Sequence, residues 1–297
     1  MADSVEMADI RGMEIDKVVK GFALIEYVFK NVCTVTSTSA NQIRWYQETA
    51  ADLTATTPQA VANISPLSVF TTLEPTWTQQ NSYVKKYAAE AMISMEDIKS
   101  TDIDVVVRTL LRLTRAVVKQ VDTRIWNVLT QDQTIAGMTI QHFDVTDVGG
   151  FQWDGFAAAS GADIIKDIAH AKKMLTDYDY VADGATLFVS GKDYESITRW
   201  LISFKGSSIP QYASDKVSNG IVMQLLGVNI RVSNNVSTSG AALVVPGRAC
   251  TWKSYTDTTS VAIVDPGLGT KFRVWEMGEA ILTDPKAVVY LTNTQYS

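Results

Sequence analysis

Residues 87–129 read YAAEAMISMEDIKSTDIDVVVRTLLRLTRAVVKQVDTRIWNVL, an extended run that passes into the strongest helical pattern of the chain. Ile103, Val107, Leu110, Thr114, Val117, Val121, Ile125 and Val128 recur at spacings of three and four, one face of a 3.6-residue period. Ser100 or Thr101 is placed to cap this helix, and Asp102 and Asp104 fall in its first turn, where the helix dipole favours negative charge. The spacing predicts a helix from about Ser100 to Leu129, on the order of 45 Å long. That is a spine across an elongated molecule. Arg108, Arg112, Arg115 and Lys119 line one of its faces. They read either as a solvated face or as a basic stripe for acidic neighbours or nucleic acid.

Charge is distributed unevenly around this helix. The whole chain of 297 residues carries a formal net charge of −6. Residues 99–130 hold six bases against three acids, whereas residues 131–154 hold four acids and no base. An acidic balance argues against a dedicated nucleic-acid binder. On the N-terminal side, no Lys or Arg occurs between Tyr46 and Val84. A stretch so poor in charge suits a surface that a partner covers. Its centre, Leu53–Leu73, is long enough to span a bilayer. Pro58, Pro66 and many hydroxyl and amide groups would go unsatisfied in lipid, so it reads as a polar loop or a pair of strands. The N-terminus is of mixed charge, with no apolar core of a signal peptide.

Residues 12–31 read as an amphipathic helix through Ile15, Val18, Val19, Phe22 and Ile25. Ile43 and Trp45 alternate with Arg44 and Tyr46 as a half-exposed strand does, and Trp77–Tyr87 is a second strand-like run. Two extended segments joined by a polar tip predict a long projecting hairpin. After the acidic, Gly-containing stretch 131–154, read as a linker or surface turn, a second unit begins. Asp163–Asp177 is helical, Thr186–Ser190 is a short apolar strand, and Tyr194, Ile197, Leu201 and Phe204 form another helical face. Val228, Ile230 and Val232 alternate, and strands dominate from Leu243 to the end. The order is mixed α+β rather than regular βαβ repetition.

No catalytic, cofactor-binding or metal-ligating set emerges. Cys33 and Cys250 are too far apart in sequence for a metal knuckle and too few for a disulfide framework. Cys33 reads as a small buried hydrophobe. His142 and Asp144 lie in a turn-rich region, and His170 flanks a helix face. Asp102/Asp104 and Asp177/Asp179 are helix-end charges before they are metal ligands. Pro266-Gly-Leu-Gly-Thr-Lys271 lacks the spacing of a phosphate-binding loop and reads as a hairpin turn. The expectation is a non-enzymatic protein without cofactor.

Several stretches, in their order, resemble the major capsid proteins of tailed bacteriophages and related viruses, the Hong Kong 97 type. They are Tyr87–Asp97 followed by the long helix with Asp122-Thr-Arg-Ile-Trp126, then Ile164–Leu175 and Leu187-Phe-Val-Ser-Gly-Lys-Asp-Tyr194. Leu225-Leu-Gly-Val-Asn-Ile-Arg-Val-Ser233 and Asp284-Pro-Lys-Ala-Val-Val289 complete the series. The resemblance implies an N-terminal arm with the first peripheral segment (1–43) and an extended loop (44–90). It further implies a peripheral domain with the spine helix (91–154), an axial domain (155–245), and returning strands of both (246–297).

It also implies self-assembly in pentamers and hexamers into an icosahedral shell enclosing a viral double-stranded DNA genome, in a virion assembled in the host cytoplasm. Separate scaffolding and portal proteins, optional decoration proteins and weak contact with packaged DNA follow as expected partners, with no membrane. The other shell of this fold, an encapsulin-type compartment around cargo enzymes, is the alternative. Some members weld the shell by an isopeptide bond from a lysine of the extended loop. The absence of lysine between Tyr46 and Val84 predicts no such bond at the loop tip.

Overall fold

The computed structural model describes residues 15–23, 26–48, 65–69, 77–100, 105–130, 140–147, 150–155, 163–201 and 224–296. Residues 1–14, Ile25, most of the tip of the expected hairpin, Asp102, Ile103, Asp104 and Phe204 lie outside them. The described residues divide into two units. The first takes the chain up to Ile43, then Asn81–Val128 and Thr251–Ile281. The second takes Arg44–Gln80, Leu129–Cys250 and Leu282–Ser297.

The first unit is a helix on a sheet. Helix α1 covers residues 15–23. Strands β1 (Thr34–Ser37), β10 (Cys250–Asp265), β11 (Gly269–Leu282) and β4 (Lys85–Ser94) form a four-stranded sheet in the order β1-β10-β11-β4. β1 runs parallel to β10, and β4 runs antiparallel to β11, with Tyr87 opposite Glu276 and Ile93 opposite Thr270. Helix α2 (Met95–Ser100) follows β4, and α3 (Val105–Thr130) is about 39 Å long. The helix read from Ser100 to Leu129 is described from Val105 to Thr130, and α2 lies ahead of it. Ser94 Oγ accepts the amide of Asp97 at 3.1 Å and opens α2 directly at the end of the strand. Leu110, Thr114, Val117, Val121, Ile125 and Val128 are buried as their spacing requires, whereas Val107 faces outward. Leu110, Leu113 and Val117 pack with Ile93, Phe272, Val274 and Val19 of α1.

The N-terminal helix is shorter than its pattern. It stops near Glu26, and the chain tightens into a 3-10 turn at Lys30–Val32. β2 (Gln42–Glu48) and β3 (Trp77–Tyr83) make a separate two-stranded ladder, as the hairpin reading requires. The run read as one strand to Tyr87 breaks at Val84, where β4 takes over.

The second unit holds β5 (Gln141–Asp144), α4 (Ile164–Thr176), β6 (Thr186–Val189), α5 (Gly191–Trp200), β7 (Gln224–Leu225), β8 (Val228–Val232), β9 (Gly240–Val244) and β12 (Val288–Thr292). Its sheet runs β5-β12-β9-β6-β8-β7. β12 is parallel to β5 and antiparallel to β9, and β6 is parallel to β8. β6 and β9 are buried along their whole length, which is why they read as continuous apolar runs. His142 and Asp144 therefore lie on a strand, not in a turn. Trp153, read as part of a surface linker, is fully buried, and its indole donates to Asp167 Oδ2 at 2.9 Å.

Candidate assembly scaffold and its surfaces

The segment Asp122-Thr-Arg-Ile-Trp126 is an anchor. The helical period turns Asp122, Ile125 and Trp126 inward. Asp122 Oδ2 accepts the amide of Val28 at 2.8 Å and Oδ1 that of Lys30 at 3.3 Å. Trp126 meets Phe29 with ring centroids 5.4 Å apart. Together they bind the turn after α1 to the spine helix. Burial pushes the Asp122 carboxyl up to about 6, and the amides of Val28, Lys30 and Phe29 oppose that rise.

Next to this anchor lies a buried charged centre. Glu276 and Glu279 on β11 are both fully buried. Glu276 pairs with Lys30 Nζ at 2.6 Å and accepts the hydroxyls of Tyr27 and, at 3.0 Å, Thr258. Arg124, the third member of the same helical segment, reaches Glu279 Oε1 at 2.5 and 2.7 Å. Such carboxylates are tolerated because each has a cation, and Glu276 has two hydroxyl donors besides. These pairs went unread in the sequence, although a signal was present. Phe272 and Val274 face the core, so a period of two puts Glu276 on the same face.

Outward surfaces of the first unit are of two kinds. Arg108, Arg112, Arg115 and Lys119 are exposed along α3, with Arg115 on Glu26 at 2.8 Å. The far end of the β10–β11 hairpin is apolar, with Val261, Ile263, Val264 and Leu268 exposed. Its turn contains the Pro266–Lys271 motif. Gly267 has φ +82°, and a side chain on Gly269 would strike the carbonyl oxygen of Ile93. The motif is thus a turn packed against β4, and Lys271 pairs with Asp265 at 3.0 Å.

In the second unit the other quoted segments prove to be turn and cap devices. Ser190 and Asp193 form a reciprocal capping box at the start of α5, and Gln295 donates to Asp193 Oδ1 at 2.7 Å. Leu226 and Gly227, at φ +52° and +77°, make the two-residue link from β7 to β8, and Lys172 holds Leu226 O at 2.7 Å. Asp284 accepts the amide of Lys286 and the hydroxyl of Tyr180, opening the turn that leads into β12.

The residues weighed for chemistry stay apart. Exposed His142 meets the edge of Tyr290 at 5.8 Å, and exposed His170 lies on Phe143 at 4.5 Å. Asp177 caps the C-terminal end of α4 and Asp179 follows in the turn. Cys33 and Cys250 are buried and unbridged. Among the described residues no three His, Cys, Asp or Glu converge as a metal site, and no helix is long and apolar enough to cross a membrane. A cleft of about 540 Å³ is lined by Tyr27, Lys30, Cys33, Val35, Asp257 and Thr258.

A family described as phage capsid protein matches residues 77–291. Among proteins of curated function none matches. Solved structures resemble the chain along nearly its whole length. The capsid of cyanophage P-SCSP1u superposes with a TM-score of 0.67 at 12% identity, over 90% of this chain and 88% of that one. A chain from Mycobacterium phage Che8 gives 0.61 at 16% identity, over 91% and 92%. The virus-like particle of Pyrococcus furiosus gives 0.61 at 11% identity, over 95% and 99%. The fold is therefore that of the Hong Kong 97 type. A scaffold of buried anchors and capped turns, matched by the family over most of its length, has one reading: the chain belongs to the phage capsid protein family, whose members are structural shell proteins and not enzymes.

Proposed function

We propose that this chain is the major subunit of an icosahedral shell enclosing a double-stranded DNA genome, built from pentamers and hexamers of itself. The observation that carries the reading is the match of the phage capsid family to residues 77–291. In this reading residues 1–43 are the N-terminal arm with the first peripheral segment, and 44–90 the extended loop. Residues 91–154 are the peripheral domain with the spine helix, 155–245 the axial domain, and 246–297 the strands that return through both. The lack of Lys and Arg between Tyr46 and Val84 supports a loop that lies over a neighbouring subunit. Identical subunits then meet head to tail, and rings that close prevent open filaments. Summed contacts per subunit exceed the ~1,600 Å² of a standard pairwise interface.

An acidic chain suits a wall that packaged DNA must slide past, since phosphate binding scales with neutralising cations. Scaffolding and portal proteins are separate chains in this reading, decoration proteins are optional, no membrane is involved, and assembly takes place in the host cytoplasm before the shell becomes the virion. Electron microscopy of the purified, concentrated protein tests it. Closed shells or capsomer rings are expected, and small monodisperse particles would refute it. The likeness to a virus-like particle supports a second reading, an encapsulin-type shell around cargo enzymes. Nuclease-protected DNA in shells purified from the natural source favours the first; a stoichiometric protein cargo without DNA favours the second.

A further inference from the structure

The first unit leaves three buried polar atoms, one of them on the partner of Arg124, without a hydrogen-bond partner. Glu279 takes both of its Arg124 contacts on Oε1. Its Oε2 accepts no hydrogen bond, because Lys85 Nζ stands 3.8 Å away, beyond range. Trp252 is fully buried and its indole N–H finds no acceptor. The hydroxyl of Tyr87 is buried and likewise unpartnered.

Their residues are neighbours on one sheet. The rings of Tyr87 and Trp252 are 6.3 Å apart. Gly278, the residue before Glu279, lies so close to the indole that a β-carbon there would come within 2.8 Å of Cε2, the atom bonded to Nε1. Lys85 stands opposite Gly278 and Tyr87 opposite Glu276 in the β4–β11 register, so Lys85 and Tyr87 point to one face. After burial itself, the Glu279 charge is the largest influence raising the Tyr87 hydroxyl pKa.

The inventory is one carboxylate oxygen that needs a hydrogen, one indole N–H that needs an acceptor, and one hydroxyl able to do either. A water molecule offers two hydrogens and two lone pairs, and buried waters in proteins bridge such sets. We infer that the first unit holds one internal water, which donates to Glu279 Oε2 and accepts from Trp252 Nε1, with Tyr87 Oη as its third partner. A metal ion does not suit the site, because the indole presents a hydrogen and Arg124 and Lys85 already supply positive charge. A direct bond from Tyr87 to Glu279 would leave the indole orphaned. The glycine at 278 keeps the space clear. The water makes the polar half of the helix–sheet contact as satisfied as the apolar half is packed.

The test is a structure of the full-length protein at a resolution that orders solvent, together with thermal unfolding of Tyr87→Phe. Expected is a density peak about 2.7–3.2 Å from all three atoms, and a Tm lowered by about 2–4 °C in the variant. Tyr87 Oη seated directly on Glu279 with no peak would overturn the inference. So would a variant Tm that is unchanged or higher, the result of deleting an orphan hydroxyl. If Tyr87→Phe does not fold, the solvent peak in the wild-type protein decides alone.

Discussion

Asp122 shows how much one side chain of the spine helix holds. It satisfies the amides of Val28 and Lys30 from a buried position. Its pKa is pushed up to about 6 by burial, against 3.8 for an ordinary aspartate. The native state therefore binds a proton between about pH 4 and 6 that the unfolded chain does not. The stability from this group is complete below pH 4 and lost as pH rises through 6. Wild type should gain thermal stability over Asp122→Asn when pH is lowered from 7 to 4.5, by on the order of 2 kcal/mol. A Tm difference that does not change with pH would contradict this. Leu226 makes the opposite point. It occupies the left-handed region at φ +52°, where a β-carbon costs about 1 kcal/mol. Leu226→Asn should raise Tm, because Asn tolerates that conformation and the Lys172 bond goes to the backbone oxygen. Both residues stood in stretches that read as family-like, yet only the fold shows that one anchors and the other is strained.

At the scale of elements, the quoted stretches are the places where the chain changes direction. Ser94 starts α2, Ser190 and Asp193 start α5, Leu226-Gly227 turns β7 into β8, and Asp284-Pro285 leads into β12. Each replaces orphan backbone donors with local side-chain acceptors, or supplies the backbone angle a tight turn requires. Ser190→Ala should cost about 2 kcal/mol, the upper end for a cap, because Asp193 is fully buried and loses a hydroxyl donor at 2.7 Å. Urea midpoints measure it, and a loss under a few tenths would mean that Gln295 and the backbone amide of residue 190 suffice for Asp193. Helix α3 was legible from its spacing over five turns. The end of α1 before Phe29 was not. That boundary depends on Asp122 meeting the amides of Val28 and Lys30 from another segment.

At the scale of the whole molecule, predictions concern the assembled shell. Denaturing gels of particles should show a single monomer band, because no lysine lies between Tyr46 and Val84 to weld neighbours through the loop tip. A covalent ladder would contradict that. The exposed face of α3 offers Arg108 and Arg112, while Arg115 is drawn to Glu26. If that face touches packaged DNA, Arg108→Glu with Arg112→Glu should reduce the DNA retained per particle. Unchanged DNA content with unchanged assembly would place the stripe elsewhere.

The amino-acid sequence alone determined the mixed α+β class, the apolar face of the spine helix, the two extended runs that pair as β2 and β3, and the burial of Cys33. Each depends on near neighbours in the chain, through a period of 3.6 or 2 or a simple preference for apolar surroundings. Tertiary structure alone decided that Asp122, Arg124 and Trp126 form an anchor, that Trp153 is buried, and that Glu276 and Glu279 are buried with cations from other segments. Those roles need partners from distant segments, such as Val28 and Phe29, Asp167, and Lys30 and Arg124. A charged side chain on a strand reads as exposed until the fold brings its counterion beside it.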